Sequence, residues 1–172
     1  YLLTDSITSL FNKSLRLGKV PQAWKHANII PIHKKGNKTD ASNYRPISLL
    51  PVISKVLERC IYNKIIEHII PKLSSCQHGF LKGRSTTTQL LSVLTKITNI
   101  LDTGNQTDII YFDLSKAFDS VPHKLLIHKL SSFGINGALL DWITDYLTNR
   151  YQRVVINGTS SSWLKVTSGV PQ

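Results

Sequence analysis

Apolar residues recur every three or four positions in five segments of the chain, which is the pattern of amphipathic helices. The segments are "SITSLFNKSLRLGKVP", "ISKVLERCIYNKIIEHII", "TTTQLLSVLTKITNIL", "PHKLLIHKLSSFG" and "NGALLDWITDYLTNR". Gly18 followed by Pro21 predicts the end of the first helix, and Pro71 ends the second. Ser85 or Thr86 can cap the third, because a hydroxyl accepts a hydrogen bond from the free amides of a first turn.

Shorter runs rich in β-branched and aromatic residues predict strands between these helices. "ANIIPIHKK" is interrupted by Pro31, which has no N–H to donate, so we predict an edge strand there. "YRPISLLP" is predicted to be short and extended, and residues 109–112 are predicted to form an apolar strand that ends at Asp113. "YQRVVINGTSSSWLKVTSG" predicts a hairpin with Asn157-Gly158 at its turn. We therefore predict an α+β fold with helices packed on a partly antiparallel sheet.

A length of 172 residues with 41% hydrophobic residues allows one globular domain or part of a larger one. The chain contains no Met, so we interpret it as a segment of a longer polypeptide. It opens on no signal peptide and has no apolar run long enough to span a bilayer, so we expect no membrane segment. Cys60 and Cys76 lack disulfide-framework and metal spacing, and we expect them to be reduced and buried in an intracellular protein.

The charge of the chain narrows its function. Lys and Arg number 21 against 10 Asp and Glu, which gives a formal net charge of +11. Residues 1–57 contain only two acids, Asp5 and Asp40, among nine basic residues. A field this one-sided predicts a polyanionic partner, either nucleic acid or a nucleotide. A membrane surface is less favoured, because no basic helix carries an aromatic face.

Several residues of chemical interest have simpler structural interpretations. Asp141 and Asp145 lie four positions apart on one predicted helix, and we expect both to be solvated on its exposed face. Trp24, Trp142 and Trp163 are expected in the core or at an interface rather than as base-stacking platforms.

Asp113 stands out because a carboxylate follows directly on an apolar strand. One interpretation is a turn residue, since Asp often closes a strand. The other is a ligand for a hard divalent ion such as Mg²⁺, which prefers oxygen donors. A two-metal site needs further carboxylates, so Asp113 alone does not decide between the two.

Four segments together resemble reverse transcriptases, particularly those of non-LTR retrotransposons and group II introns. "YFDLSKAFDSVPH" resembles their first catalytic motif, an apolar strand with an Asp followed by A-F-D-x-V. "NYRPISLLPVISKVLERCI" and "QHGFLKGRSTTTQLL" resemble two fingers motifs. "YLTNRYQRVVINGTSSSWLKVTSGVPQ" looks like the stretch that leads into the Gly-x-Pro-Gln-Gly motif. The four stand in family order across nearly the whole chain, which makes the resemblance specific.

The resemblance implies roles for the residues of the first catalytic motif. Asp113 would bind two Mg²⁺ ions, with Mn²⁺ as an alternative metal, and the Leu114 carbonyl would help to hold one of them. Phe118 matches the ring that lies under the incoming sugar and excludes a 2′-OH, although its spacing also allows plain core packing. Asp119 is not a metal ligand in this comparison, and we expect it to be hydrogen-bonded at the start of the following helix.

Basic residues would supply the contacts to phosphate. Arg45 matches the fingers Arg that contacts the triphosphate, and Lys34 matches the fingers Lys, with Lys35 as an equally near alternative. Gln172 matches the Gln that lies against the incoming nucleotide.

Lys82 and Arg84 flank Gly83 in a loop that opens a helix, where backbone amides and cations suit nucleic-acid phosphate. A solvated basic loop explains these two, and Lys34 with Lys35, about equally well.

The resemblance also implies an organisation and an activity. Residues 1–106 would be a fingers region with an N-terminal helix, and residues 107–172 part of the palm of a right-hand polymerase. The family's Tyr-x-Asp-Asp motif does not occur, and the chain contains no Asp-Asp dipeptide. We therefore expect an RNA-directed DNA polymerase segment that lacks part of the active site and has no activity alone.

The expected partners are an RNA template, a DNA primer and deoxynucleoside triphosphates, in the nucleus, the cytoplasm or both. Two alternatives stay open at the level of sequence. One is a group II intron maturase, which flanking domains would distinguish. The other is a decayed or domesticated copy that acts only as an RNA-binding module, and a disrupted Tyr-x-Asp-Asp motif further along the polypeptide would favour it.

Overall fold

The computed structural model of the chain describes residues 3–171 and contains two compact units. The larger unit joins Tyr1–Ile66 to Lys116–Gln172, and the smaller unit is Glu67–Ser115. The described residues form α-helices and a mixed sheet, so the predicted α+β class is confirmed. The assignment of residues 1–106 to fingers and 107–172 to palm stays a prediction.

A mixed sheet organises the larger unit. Its strands are β1 (His26–His33), β2 (Tyr44–Leu49), β3 (Tyr151–Ile156), β4 (Thr159–Ser160) and β5 (Leu164–Lys165). β2 pairs with β1 in an antiparallel manner, β1 pairs with β3 in parallel, and β3 pairs with both β4 and β5 in an antiparallel manner. The predicted hairpin is confirmed: Asn157 and Gly158 both have positive φ, 49° and 81°, as a two-residue turn of this kind requires.

The prediction that the strand with Pro31 lies at an edge is wrong, because β1 lies between β2 and β3. β3 pairs only with His26–Ile29, so Pro31 lies beyond that ladder. On the other side Pro31 stands directly opposite Pro46. Two prolines opposite each other fit a pair that exchanges no hydrogen bond, so the missing donors cost the ladder nothing.

Helices form most of the core of the larger unit. They are α1 (Thr4–Leu17), α4 (His123–Ser132), α5 (Gly137–Leu147) and most of α2 (Val52–Ile69). The core cluster joins α2 and α5 to the segment after α1 through Val20, Trp24, Leu57, Ile61, Trp142, Tyr146 and Leu147. The predicted burial of Trp24 and Trp142 is confirmed at 7% and 2% exposure.

Asp145 was expected in solvent, and this expectation is wrong. Its carboxylate lies 2.8 Å from Lys25 Nζ and 3.1 Å from Lys19 Nζ, and it accepts a 2.9 Å hydrogen bond from the Val20 N–H. The Lys25 side chain is only 5% exposed, so the pair ties α5 to the segment before β1. Burial would raise the pKa of the Asp145 carboxyl, but the bonds from Lys25, Val20 and Lys19 outweigh it and hold the pKa below its usual value.

The lowered pKa predicts a pH-dependent contribution to stability. A carboxyl with a lower pKa in the folded state stabilises the fold above its unfolded pKa of about 3.9 and loses that contribution as the pH falls through the folded value. We expect Asp145→Asn to reduce the free energy of unfolding by about 2 kcal/mol at pH 7, because Lys25 is left buried without its counter-ion. Urea unfolding at pH 7 and at about pH 3 measures the difference, which should narrow in acid.

Asp141→Asn is the matched control for Asp145→Asn, since Asp141 lies one turn earlier on α5 and is exposed. It should change the free energy of unfolding by less than about 0.5 kcal/mol at either pH. An Asp145→Asn deficit of the same size at both pH values would show that the carboxylate charge is not the cause.

The smaller unit is built on α3 (Thr86–Asp102) and the loops on either side of it. The predicted cap is confirmed: the Ser85 side chain accepts from the Thr88 N–H, and the Thr88 hydroxyl accepts from the Ser85 N–H in return.

Cys60, on α2, and Cys76, in the smaller unit, were expected to be buried, but both are exposed free thiols. None of the helices in residues 3–171 combines the length and apolar character needed to cross a bilayer.

Candidate nucleotide-binding site

A large cavity of about 1080 Å³ opens in the larger unit beside β1, β2 and β3. Four basic residues line it, Lys34, Lys38, Arg45 and Lys116, and Asp119 is the one acid among its lining residues. Its volume lies slightly above the range of about 300–1,000 Å³ that is typical of small-molecule sites. A site of this size and charge suits a large anionic ligand.

The strand register places Lys34 and Arg45 together. Arg45 stands directly opposite Ile32 in the β1–β2 pair. The Lys34 N–H continues the ladder with a 2.8 Å bond to the Asn43 carbonyl. Side chains two positions apart on an extended chain lie on the same face, so Lys34 shares a face with Ile32 and Arg45. Lys34 lines the cavity, whereas Lys35 is not among its described lining residues.

The loop between β1 and β2 is held in shape by its own hydrogen bonds. The Asp40 carboxylate accepts from the Ser42 N–H at 2.8 Å, and the Asn43 amide donates to the Asn37 carbonyl at 2.9 Å. The Tyr44 hydroxyl donates to the Lys38 carbonyl at 2.9 Å. The bonds from Ser42 lower the pKa of the Asp40 carboxyl, with a smaller contribution from the charge of Lys116. These hydrogen bonds fix the backbone of the loop that carries its lysines.

The turn at 116–119 also lines the large cavity. Phe118 is 38% exposed there and is not a member of the buried core cluster. Lys116 has a left-handed backbone with φ 50°, and its carbonyl accepts from the Asp119 and Ser120 N–H groups. Lys116 and Lys38 were not predicted as site residues. Lys116 could have been suspected, since it lies only two residues before Phe118.

A smaller cavity of about 360 Å³ shares Ile29, Pro46, Lys116 and Asp119 with the large one. Residues 168–170 close its wall, because the Gly169 N–H donates to the Val121 carbonyl and the Val170 N–H to the Phe118 carbonyl, both at 2.9 Å.

The expectation for Asp119 is wrong. α4 begins only at His123, with Pro122 at its N-cap, so Asp119 does not start the helix. Asp119 lines both cavities, and its backbone carbonyl accepts a hydrogen bond from the Ser168 hydroxyl. Pro122 at the N-cap separates Asp119 from the first turn of the helix. A favourable charge near a helix start does not by itself specify where the helix begins.

Asp113 lies in the smaller unit, where the predicted strand over residues 109–112 is not formed. Residues 105–114 have no regular secondary structure, and Tyr111, Phe112 and Leu114 are 85%, 90% and 77% exposed. A strand needs a neighbour that accepts and donates its backbone hydrogen bonds, and this stretch pairs with none of the strands in residues 3–171.

Asp113 and the Leu114 carbonyl offer the oxygen donors that a hard divalent ion prefers. Residues 3–171 nevertheless contain no group of three or more His, Cys, Asp or Glu that could hold a metal. One carboxylate with one carbonyl is too few for a complete site, so the described residues do not fit a two-metal centre by themselves.

The other predicted site residues lie elsewhere. Lys82 and Arg84 are exposed in the smaller unit, and the Arg84 guanidinium donates to the Ser75 and Gln77 carbonyls, so it braces its own loop. Gln172 lies outside the described residues. The proposed ligand contacts of all these residues stay predictions.

Comparison with known proteins agrees with the resemblance seen in the sequence motifs. Residues 32–172 match the family described as reverse transcriptase (RNA-dependent DNA polymerase). The chain is 33% identical over 166 residues to the RNA-directed DNA polymerase from mobile element jockey of Drosophila melanogaster, an alignment that covers 95% of the chain and 18% of the relative. It is 34% identical over 169 residues to the probable RNA-directed DNA polymerase from transposon X-element of the same species, covering 96% of the chain and 18% of the relative.

A more distant relative is the retrovirus-related Pol polyprotein from type-1 retrotransposable element R2 of Nasonia vitripennis, 27% identical over 172 residues. That alignment covers 99% of the chain and 16% of the relative. The chain thus spans 16% to 18% of the length of these three relatives. Because the family match covers 141 of its 172 residues, counted from 32 to 172, the chain belongs to the reverse transcriptase (RNA-dependent DNA polymerase) family.

Proposed function

We propose that the chain is part of the RNA-directed DNA polymerase of a non-LTR retrotransposon, and that the large cavity binds the incoming deoxynucleoside triphosphate. One observation carries the proposal: a single cavity collects Lys34, Arg45 and Phe118 from three separate stretches of the sequence. The relatives are named as polymerases of mobile elements, which supports the retrotransposon over the group II intron maturase.

Each wall of the cavity has a proposed task. Arg45 and Lys34 contact the triphosphate oxygens, since a guanidinium fork matches two phosphate oxygens and an ammonium adds a point charge. Phe118 lies under the sugar, where its ring leaves no room for a 2′-OH. The complete polypeptide would then add deoxynucleotides to a primer 3′-OH on an RNA template and release pyrophosphate.

Members of this family generally use divalent metal ions. The finer assignment, two Mg²⁺ ions with Mn²⁺ as the alternative, belongs to the proposal, with Asp113 and the Leu114 carbonyl as two of the donors. A complete site requires further carboxylates beside them. Lys82 and Arg84 are proposed contacts to nucleic-acid phosphate, and Gln172 a contact to the incoming nucleotide. Action inside the cell, in the nucleus, the cytoplasm or both, is part of the same proposal.

The sugar-selecting role of Phe118 gives the test of this function. We expect Phe118→Ala, made in the longer polypeptide, to reduce the preference for deoxynucleotides over ribonucleotides by about tenfold or more, because the ring no longer fills the space of a 2′-OH. Primer extension with each nucleotide class on an RNA template measures the ratio of kcat/KM values.

Phe133→Ala is the matched control, since Phe133 follows α4 and lines neither cavity. It should leave the ratio unchanged. Unaltered sugar selection in Phe118→Ala would mean that Phe118 only packs, and a wild-type polypeptide that extends no primer would support the RNA-binding relic instead.

A further inference from the structure

The sheet of the larger unit contains no acidic residue. Its five strands carry Arg45, Arg153 and Lys165 but neither Asp nor Glu, and Asp145 is the last acid of the whole chain. The segment from Tyr146 onward therefore adds positive charge alone. A surface built from these strands has an electrostatic field that favours a polyanion.

Five residues on these strands form one cluster, which we call the Trp163 cluster: His26, Asn28, Tyr151, Arg153 and Trp163. The His26 ring stacks on Tyr151 with centroids 5.5 Å apart and meets Trp163 at an angle of 89° and a distance of 5.1 Å. The Arg153 guanidinium carbon lies 4.6 Å from the centre of the Trp163 ring, and Arg153 Nε donates to Asn28 Oδ1 at 2.9 Å. Residues of both β1 and β3 thus contact the tryptophan.

Trp163 differs from the other two tryptophans because it is 41% exposed, whereas Trp24 and Trp142 are 7% and 2% exposed. Of the two predicted positions for Trp163, the core is wrong, and the interface stays a prediction. His26, Asn28, Arg153 and Trp163 line neither cavity, and Tyr151 lines the smaller cavity but not the large one. The cluster is therefore a surface feature that the proposed nucleotide site does not use.

We propose that the Trp163 cluster binds single-stranded nucleic acid. A base stacks against the exposed part of the Trp163 ring, and Arg153 contacts a neighbouring phosphate. Stacking on an aromatic ring together with a cation that follows the backbone is how proteins bind single strands without reading their sequence. Arg153 Nε donates to Asn28, and the other N–H groups of the guanidinium can reach phosphate oxygens.

The pre-formed geometry strengthens this interpretation. The bond to Asn28 and the contact with Arg153 hold the tryptophan and arginine in place before a ligand arrives, which lowers the entropy lost on binding. Lys165 stands directly opposite Tyr151 in the β3–β5 pair and adds a second cation beside the cluster. The proposal goes beyond the proposed nucleotide site, because it concerns another surface and another ligand.

Tryptophan fluorescence provides the test, since Trp163 is the exposed tryptophan in the described residues. The probes are an unstructured uridine 12-mer and a thymidine 12-mer, titrated into the 172-residue chain. We expect both to quench the emission of the wild type. Because the Trp163 variants lack this reporter, the fluorescence anisotropy of end-labelled 12-mers measures their affinity, and we expect Trp163→Leu to weaken binding by about tenfold and Trp163→Tyr to retain most of the affinity. Leucine keeps apolar area and loses the ring, so the pair of variants separates stacking from general apolar contact.

A salt titration tests the arginine. Arg153→Gln should lower the slope of log affinity against log salt by about 0.7, the value for one phosphate contact to a single strand. Lys55→Gln is the matched control, because Lys55 is an exposed cation on α2 that lines neither cavity. Circular dichroism before each titration confirms that the variants are folded, and Arg153→Gln carries the test if Trp163→Leu is not.

The outcomes separate this inference from the proposed function. Binding of a deoxynucleoside triphosphate should weaken in Arg45→Gln and stay unchanged in Trp163→Leu, whereas binding of the 12-mers should weaken in Trp163→Leu. Equal affinity of Trp163→Leu and wild type for both 12-mers would overturn the Trp163 site and leave the nucleotide site untouched. A wild type that binds the 12-mers but no triphosphate would contradict the nucleotide site alone.

Discussion

Primer extension by the longer polypeptide should fall by about a thousandfold or more when Asp113 is replaced by Asn. The amide has nearly the shape of the carboxylate but no negative charge, so it binds a hard divalent ion far more weakly. RNA binding should stay close to that of the wild type, because the basic residues proposed to contact phosphate are unchanged. Extension assays and RNA titrations on the same preparation measure the two effects.

The segment around Asp113 supplies its own control. Asp108 lies five residues earlier in the same stretch without regular secondary structure, and it is also exposed. Asp108→Asn removes the same charge from the same segment and should leave extension within a few-fold of the wild type. Similar losses in both variants would point to the segment's conformation, and full activity in Asp113→Asn would show that the metal assignment is wrong.

The largest effect on stability is expected at Gly169. Its φ is 83°, which residues with a Cβ adopt only with strain, and an added Cβ would lie 2.7 Å from the Asp119 carbonyl oxygen and 2.8 Å from Asp119 Cα. Both neighbours are backbone atoms of the turn at 116–119 and cannot rotate away. We expect Gly169→Ala to reduce the free energy of unfolding by about 4 kcal/mol, from the backbone strain and the overpacking together.

Gly158→Ala isolates the contribution of the contact. Gly158 has nearly the same φ, 81°, but a Cβ there would meet nothing within 4 Å. Gly158→Ala should reduce the free energy of unfolding by about 1 kcal/mol, from the strain of the left-handed backbone alone. Urea unfolding of both variants gives the difference. Equal losses would mean that residues 168–170 move away from Asp119 at little cost and that the cavity wall is soft.

The helices followed from the sequence because their signals are local. Each has its apolar residues at helical spacing and its ends marked by nearby residues, such as Gly18 after α1 and the Ser85 cap of α3. The Asn157-Gly158 turn is equally local, since two adjacent residues specify it. The collection of Lys34, Arg45 and Phe118 at one site came from motif order, because no local pattern connects residues so far apart.

The errors concern partners that lie far away in the sequence. Pro31 suggested an edge strand, but β1 is an inner strand because it pairs with β3, which lies more than a hundred residues later. Asp145 looked solvated because its partners Lys19 and Lys25 belong to the other end of the chain. The apolar run at 109–112 has strand composition, but composition provides no neighbouring strand, and the backbone stayed unpaired.

The parallel pairing of β1 with β3 has a consequence for the order of folding. Asn28 and Arg153, which face each other across this pair, are 125 residues apart. During synthesis, β1 leaves the ribosome long before its partner exists, and closing so long a loop costs chain entropy before any contact repays it. The smaller unit is continuous in sequence and can therefore form first, while the centre of the sheet waits until the chain has been made through Val154.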